Sequence, residues 1–217
     1  MKLLVLVGPQ GSGNHLFSKI FSLHEDVHGW KSLLEPDGYF IPHAQEPFNS
    51  YWKDPKSITA DMMQGKQYAV TSISCPYIQD WTPRVPPLFD FIHAAEAAGI
   101  SVQPVIIGRD QNILTHQQTR VRGGPSWGTL PQLIRWFETP PFFVSQELLY
   151  LYRRQYVKSI GHWLQFPVAD RDPRMDDILK DDANSKYIHA ADPYWLDDHV
   201  RNINTPPWLR KDDEESR

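Results

Sequence analysis

Gly8-Pro-Gln-Gly-Ser-Gly13 follows a run of aliphatic residues and precedes an amphipathic stretch. That order aims several backbone N–H groups and the positive end of a helix dipole at one point, which is chemistry for holding an oxyanion. Glycine at 8, 11 and 13 lets the backbone approach an anion closely and adopt positive φ, and Ser12 adds a hydroxyl donor. Gly8 and Gly13 also match the fixed glycines of G-x-x-x-x-G-K-[ST], but Asn14 and His15 stand where that motif has its lysine and its magnesium-binding hydroxyl. A kinase or ATPase needs the lysine on the β/γ-phosphates and the hydroxyl on the metal. The loop therefore reads as an anion site without NTPase apparatus, with a plain glycine turn opening an α/β unit as the simpler alternative.

Positioning such a loop requires a strand before it and a helix after it. Leu3-Leu-Val-Leu-Val7 is a continuous apolar run, typical of a strand buried on both faces of a parallel sheet. Leu16, Phe17, Ile20 and Phe21 recur at helical spacing, which predicts a helix over Asn14 to Leu23. Further strands are expected at Tyr68 to Ile73, Val102 to Ile107 and Phe142 to Val144. Helices are expected over 88–95, 110–120, 130–137 and 148–164, with Gly99 and Pro140-Pro141 as breaks. Alternating strands and helices imply an α/β fold with a central, mainly parallel β-sheet flanked by helices. The stretch 28–66 has no clean period and reads as a long insertion over the site, carrying short helices. Beyond Asp170 loops and short helices are expected, ending in a frayed tail at 208–217.

The 217 residues are most simply one domain, 1–217. A formal charge of −4 argues against a nucleic-acid partner, since no broad basic surface is implied. Cys75 is the single cysteine, which excludes an internal disulfide and a cysteine-built zinc site; it reads as a small buried residue, because no activating motif accompanies it. The run Leu3–Val7 is too short for a signal peptide core, and nothing approaches the roughly 20 apolar residues of a membrane span. The expectation is a cytoplasmic protein with no membrane partner.

Ser12-Gly13-Asn14-His15-Leu16 resembles the Ser-Gly-Asn/Thr-Thr-x core of the 5′-phosphosulfate loop of the P-loop sulfotransferases. Three later stretches resemble the same family in the same order. They are Leu23-His24-Glu25-Asp26-Val27, Phe143-Val-Ser-Gln-Glu-Leu-Leu149 and Tyr156-Val-Lys-Ser-Ile-Gly-His-Trp-Leu-Gln-Phe-Pro167, so the resemblance runs from about Lys2 to Val168. It implies a three-layer P-loop NTPase-like fold. It also implies that Gly11, Ser12, Gly13, Asn14, His15 and Leu16 bind the 5′-phosphate of 3′-phosphoadenosine 5′-phosphosulfate (PAPS), with no metal required and 3′,5′-adenosine bisphosphate as product. The absent lysine is the rule in that family.

The resemblance further implies a second phosphate contact. The family uses an Arg at the end of a central strand and a Ser eight positions later for the 3′-phosphate. Arg109, in Arg109-Asp110, takes the first place and Gln117 the second, with Thr115 as the nearest hydroxyl. Arg suits a bidentate phosphate contact, and Arg120 and Arg122 extend the basic stretch. Two family features differ here. Gly11 replaces the loop's basic residue, and Ser72-Ile-Ser-Cys-Pro76 places Ser74 where one branch keeps a catalytic His. Another branch takes its base from a Glu beyond the first helix, which points to Glu35, with His28 and His43 as alternatives in the same loop. His15, at the helix start, is the candidate for the missing cationic donor. Trp30, Tyr39, Phe40, Tyr51 and Trp52 either line an acceptor pocket or form the loop's own core.

The implied reaction transfers a sulfuryl group to a hydroxyl or amine of a small-molecule or glycan acceptor. A divergent nucleotide kinase and a non-catalytic nucleotide-binding protein of the same fold stay open as alternatives. The oligomeric state is not legible.

Overall fold

A computed structural model describes residues 1–35, 45–79, 82–122, 130–135, 137–180 and 184. By its internal contacts the chain divides into two compact units, Met1–Asp181 and Asp182–Arg217. All the elements that follow belong to the first. Tyr39, Phe40, His43 and the tail 208–217 lie outside the described residues.

Five strands form one sheet in the order β2-β3-β1-β6-β7, and every pairing between neighbours is parallel. They are β1 (Lys2–Gly8), β2 (Val27–His28), β3 (Tyr68–Ser74), β6 (Ser101–Gly108) and β7 (Phe142–Ser145). A separate antiparallel pair, β4 (Tyr77–Gln79) and β5 (Thr82–Arg84), follows β3. The sequence pattern hides that pair, because Pro76 and Pro83 demote a strand reading. It also hides β2, whose two residues are too few to show a period.

β1 is central, and its apolar run is divided between two cores. Leu3, Val5 and Val7 pack with Phe48, Trp52, Met62, Phe91 and Ala95 on one face. Leu4 and Leu6 pack with Phe17, Ile20, Phe21, Val157 and Ile160 on the other. The period of two that separates the faces is the pleat of a strand, and it explains why the run contains no polar residue. One outer layer contains α2 (Asn49–Lys53), α3 (Leu88–Ala97) and α5 (Leu130–Ile134). The other contains α1 (Asn14–Ser22), α6 (Gln146–Leu164) and α7 (Arg174–Lys180). The expected α/β architecture with a parallel sheet between helical layers is present.

In its described parts the long insertion holds α2 and the short 3₁₀ turns Lys31–Leu34, Pro55–Ser57 and Ala60–Met63. It is pinned at both ends of its described parts. Lys31 Nζ donates to the carbonyls of Ser22 (2.6 Å), at the open end of α1, and His24 (2.7 Å), in the turn that follows it. Trp52 stacks on Phe91 with ring centroids 3.8 Å apart. The helix expected over 148–164 begins at Gln146, where the Ser145 hydroxyl accepts from the Leu148 N–H as an N-cap. It is interrupted at Arg153 (φ 48°, ψ −127°), so it is two helical pieces joined at a kink. α5 stops at Ile134, three residues short of the expected end.

Candidate functional site

β1 and β6 are neighbours whose onward connections diverge. The chain leaves β1 through α1 toward β2 at one edge, and leaves β6 through α4 (Gln111–Arg122) toward β7 at the other. Such a switch point opens a crevice at the carboxyl ends of the strands, where open α/β sheets bind ligands. The glycine loop leaves β1 at this crevice and Arg109 leaves β6 at it.

Gly13 is the N-cap of α1 and has φ 110°, a left-handed conformation that leaves the helix start open in front of the loop. Ser12 and Asn14 turn beneath the loop. A Cβ on Gly8 would lie 2.1 Å from Ser12 Oγ and 3.1 Å from Asn14 Oδ1, so only glycine fits at the end of β1. Asn14 Nδ2 donates to Ser74 Oγ (3.0 Å) and reaches the Gly8 carbonyl at 3.4 Å. The position that an NTPase gives to its lysine is thus a buried amide tied to the end of β3. Cys75 N–H donates to the Gly8 carbonyl at 2.9 Å. The Cys75 side chain is buried, and that burial pushes its thiol up to about 11, which removes it as a nucleophile.

From the neighbouring strand β6, Arg109 comes to the same loop. Its Nη1 donates to the Gly11 carbonyl at 2.6 Å and to Gln117 Oε1. The neighbouring Gln118, buried on α4, donates through Nε2 to the Gln10 carbonyl at 2.7 Å. Consecutive loop carbonyls are therefore held by Arg109 and Gln118, with Gln117 bridging the guanidinium to α4. Asp110 caps that helix through its Oδ1, which accepts from Asn112 and Ile113 N–H. Asp110 N–H donates to Glu147 Oε1 at 2.8 Å, while Ser145 Oγ donates to Glu147 Oε2 at 2.8 Å. These bonds lock the end of β7 to the end of β6.

Of the residues singled out in the sequence, Gly11, Ser12, Gly13, Asn14, Arg109, Gln117 and Ser74 come together at the carboxyl edge of the sheet. His15 and Leu16 are half-buried on the first turn of α1. The His15 ring meets Trp30 edge-on at 5.0 Å, which sets the Lys31–Leu34 turn against the start of α1. Thr115 is half-buried on α4, but the α4 side chains that meet the loop and Arg109 are Gln117 and Gln118. Arg120 is exposed, and the Arg122 side chain lies outside the described residues. Glu35 is exposed at the end of the Lys31–Leu34 turn. His28 is half-buried against Phe48, ring centroids 5.0 Å apart, and burial followed by the Lys31 charge lowers its pKa. Trp30 and Trp52 are buried and belong to the packing, Trp52 in the core of the sheet's α3 face.

Besides Gln118, Glu46 and Gln146 are polar groups that no sequence pattern marks. Glu46 is 5% exposed and accepts from Thr71 Oγ1 (2.7 Å) and Phe48 N–H (2.8 Å). Trp52 Nε1 donates in turn to Thr71 Oγ1 at 2.9 Å. Burial raises the Glu46 carboxyl to about 7 against the lowering effect of these hydrogen bonds. No local motif marks it, since Gln45-Glu46-Pro47 reads as ordinary loop. The other group is Gln146, the first residue of α6, 2% exposed and packed on Gly13.

A shallow depression lies elsewhere, between residues 56–60 and the Ala94, Ala97 and Ala98 side of α3. Its one charged group is Lys56, and it carries none of the loop's chemistry. Among the described residues no group of three or more His, Cys, Asp or Glu side chains is placed to hold a metal ion, and no helix is long and apolar enough to cross a membrane. No protein-family model and no curated protein matches this chain.

Proposed function

We propose that this chain is a PAPS-dependent sulfotransferase with a P-loop NTPase-like fold. In this reading it transfers a sulfuryl group to a hydroxyl or amine of a small-molecule or glycan acceptor. The observation that carries the reading is the meeting of Arg109, Gln117 and Gly11 at the β1/β6 switch point. A helix N-terminus supplies N–H donors to one phosphate, and a guanidinium beside it supplies charge-assisted bonds to a second. A nucleotide with phosphates on both the 3′ and 5′ oxygens matches two such cationic points. The buried Asn14 amide, bonded to Ser74, stands against a magnesium-dependent NTPase reading of the same loop.

In the transfer step the acceptor O–H or N–H gives its proton to a carboxylate, for which Glu35 is the candidate. The acceptor atom bonds to sulfur, the bond from sulfur to the bridging phosphate oxygen breaks, and 3′,5′-adenosine bisphosphate leaves with the electron pair. N–H groups of residues 13–16, with His15 beside them, offset charge on the leaving phosphate. The exposure of Glu35 favours a second reading, a nucleotide-binding protein of this fold without transfer activity.

The selective test compares affinities for 3′,5′-adenosine bisphosphate and 5′-AMP by calorimetry. The expected result is at least tenfold tighter binding of the bisphosphate, from its second charge-assisted contact. Equal affinities would overturn the reading.

A further inference from the structure

Gln146 is 2% exposed, and its Oε1 has no hydrogen-bond partner. A buried amide oxygen without a partner is costly, and a ligand or bound molecule is one reason a native structure keeps such a group. Its place is specific. Gln146 begins α6 at the carboxyl end of β7, and its Oε1 would lie 3.4 Å from a Cβ on Gly13, the N-cap of α1. The unpartnered Ser12 Oγ and Asn14 Oδ1 sit against Gly8, beneath the loop. Gln146 instead approaches the loop at the helix start itself. Its backbone is fixed on both sides, by the Ser145 cap and by the Glu147 carboxylate bridging Ser145 and Asp110.

We propose that Gln146 is a specificity-determining residue of the loop site, its amide turning to donate from Nε2 to an oxygen of a tetrahedral oxyanion, a sulfate or phosphate ester, held over Gly13 and Asn14. An amide presents a donor and an acceptor on one plane and exchanges them by rotation. It adds a hydrogen bond without adding charge, so it grips an oxyanion and still releases it after transfer. A carboxylate in the same place would repel the anion. The proposal rests on the oxyanion-binding reading of the loop given above and extends it to a third strand end, β7.

The test follows the side-chain amide of Gln146 in the full chain by ¹⁵N–¹H correlation, assigned by its loss in Gln146→Leu, during separate titrations with inorganic sulfate and 3′,5′-adenosine bisphosphate. Both ligands are expected to shift the Gln146 amide together with the backbone amides of residues 11–15. Gln146→Leu is expected to weaken bisphosphate binding roughly ten- to hundredfold, as for one hydrogen bond to a charged group. It should leave the ligand-free melting temperature unchanged or higher, because an unpartnered polar group is replaced by an apolar one of similar size. Gln146→Glu, which keeps the shape, serves both measurements if the leucine variant does not fold. A loop that shifts while the Gln146 amide and the affinity stay constant overturns the Gln146 proposal and leaves the donor reading standing. A Gln146 shift with sulfate but none with the bisphosphate supports the proposal and overturns the donor reading. No shift anywhere in the loop overturns both.

Discussion

The Arg109 guanidinium donates to the Gly11 carbonyl at 2.6 Å, joining the end of β6 to the glycine loop across 98 positions of sequence. Gln117 Oε1 accepts from the same nitrogen, so one guanidinium nitrogen holds loop and helix α4 together. Arg109→Lys keeps the charge but loses the planar fork. Expected is a loss of about 1 kcal/mol in stability and roughly tenfold weaker bisphosphate binding, read by calorimetry. Wild-type affinity in the lysine variant would mean that charge alone matters at this position.

Asn14→Lys puts back the lysine of the NTPase motif at a position that is buried and bonded to Ser74. The expected outcome is destabilisation by about 1 to 3 kcal/mol, from the lost amide bond and the buried charge, and no magnesium-dependent ATP hydrolysis. A stable variant that hydrolyses ATP would contradict the placement of Asn14 beneath the loop.

Glu46 predicts a pH dependence with a definite sign. Burial raises its carboxyl to about 7 from 4.5, so the folded chain binds this proton more tightly than the unfolded one. The stability it contributes is complete below about 4.5 and is lost as pH rises through about 7, on the order of 3 kcal/mol in all. Melting temperatures between pH 5 and 8.5 should fall more steeply in the wild type than in Glu46→Gln. That variant can still meet Phe48 N–H with its oxygen and Thr71 Oγ1 with its nitrogen. Parallel profiles would refute the assignment.

Trp52 separates core packing from acceptor binding. Trp52→Ala removes the stack on Phe91 and the bond to Thr71, and should cost about 3 to 5 kcal/mol. Trp52→Phe should keep most of that stability, and donor affinity should stay at the wild-type value. A selective loss of acceptor binding in Trp52→Phe would return this residue to the ligand site.

The strands carrying the site were legible because burial on both faces leaves a plain mark: Leu3–Val7 is an apolar run without alternation, and Val105–Ile107 ends β6 in the same way. The glycine loop was legible because Gly8, Gly11 and Gly13 answer a backbone need that no other residue meets as cheaply. Arg109 entered through family resemblance, and its arrival at Gly11 depends on β1 and β6 pairing in register, a long-range relationship that local sequence does not encode. Gln118, Gln146 and Glu46 stayed hidden for the same reason. Each is an ordinary polar residue in its own segment and becomes distinctive only when another strand end buries it. Ser12 shows the converse. Its hydroxyl was expected to face an anion, and it lies against Gly8 beneath the loop. α6 read as one helix because its apolar period runs through Arg153, while the backbone there does not.

The central claim is that the loop and Arg109 together bind a nucleotide carrying 3′- and 5′-phosphates. Its most direct test is the thermal shift given by 3′,5′-adenosine bisphosphate and by Mg-ATP, on the wild type and on Arg109→Ala. At 100 times its dissociation constant a ligand stabilises by about 2.7 kcal/mol, roughly 5 to 10 °C for a chain of this size. Expected are that shift with the bisphosphate, its loss in Arg109→Ala, and little change with Mg-ATP. A shift with Mg-ATP alone, or one with the bisphosphate that survives in Arg109→Ala, would contradict it.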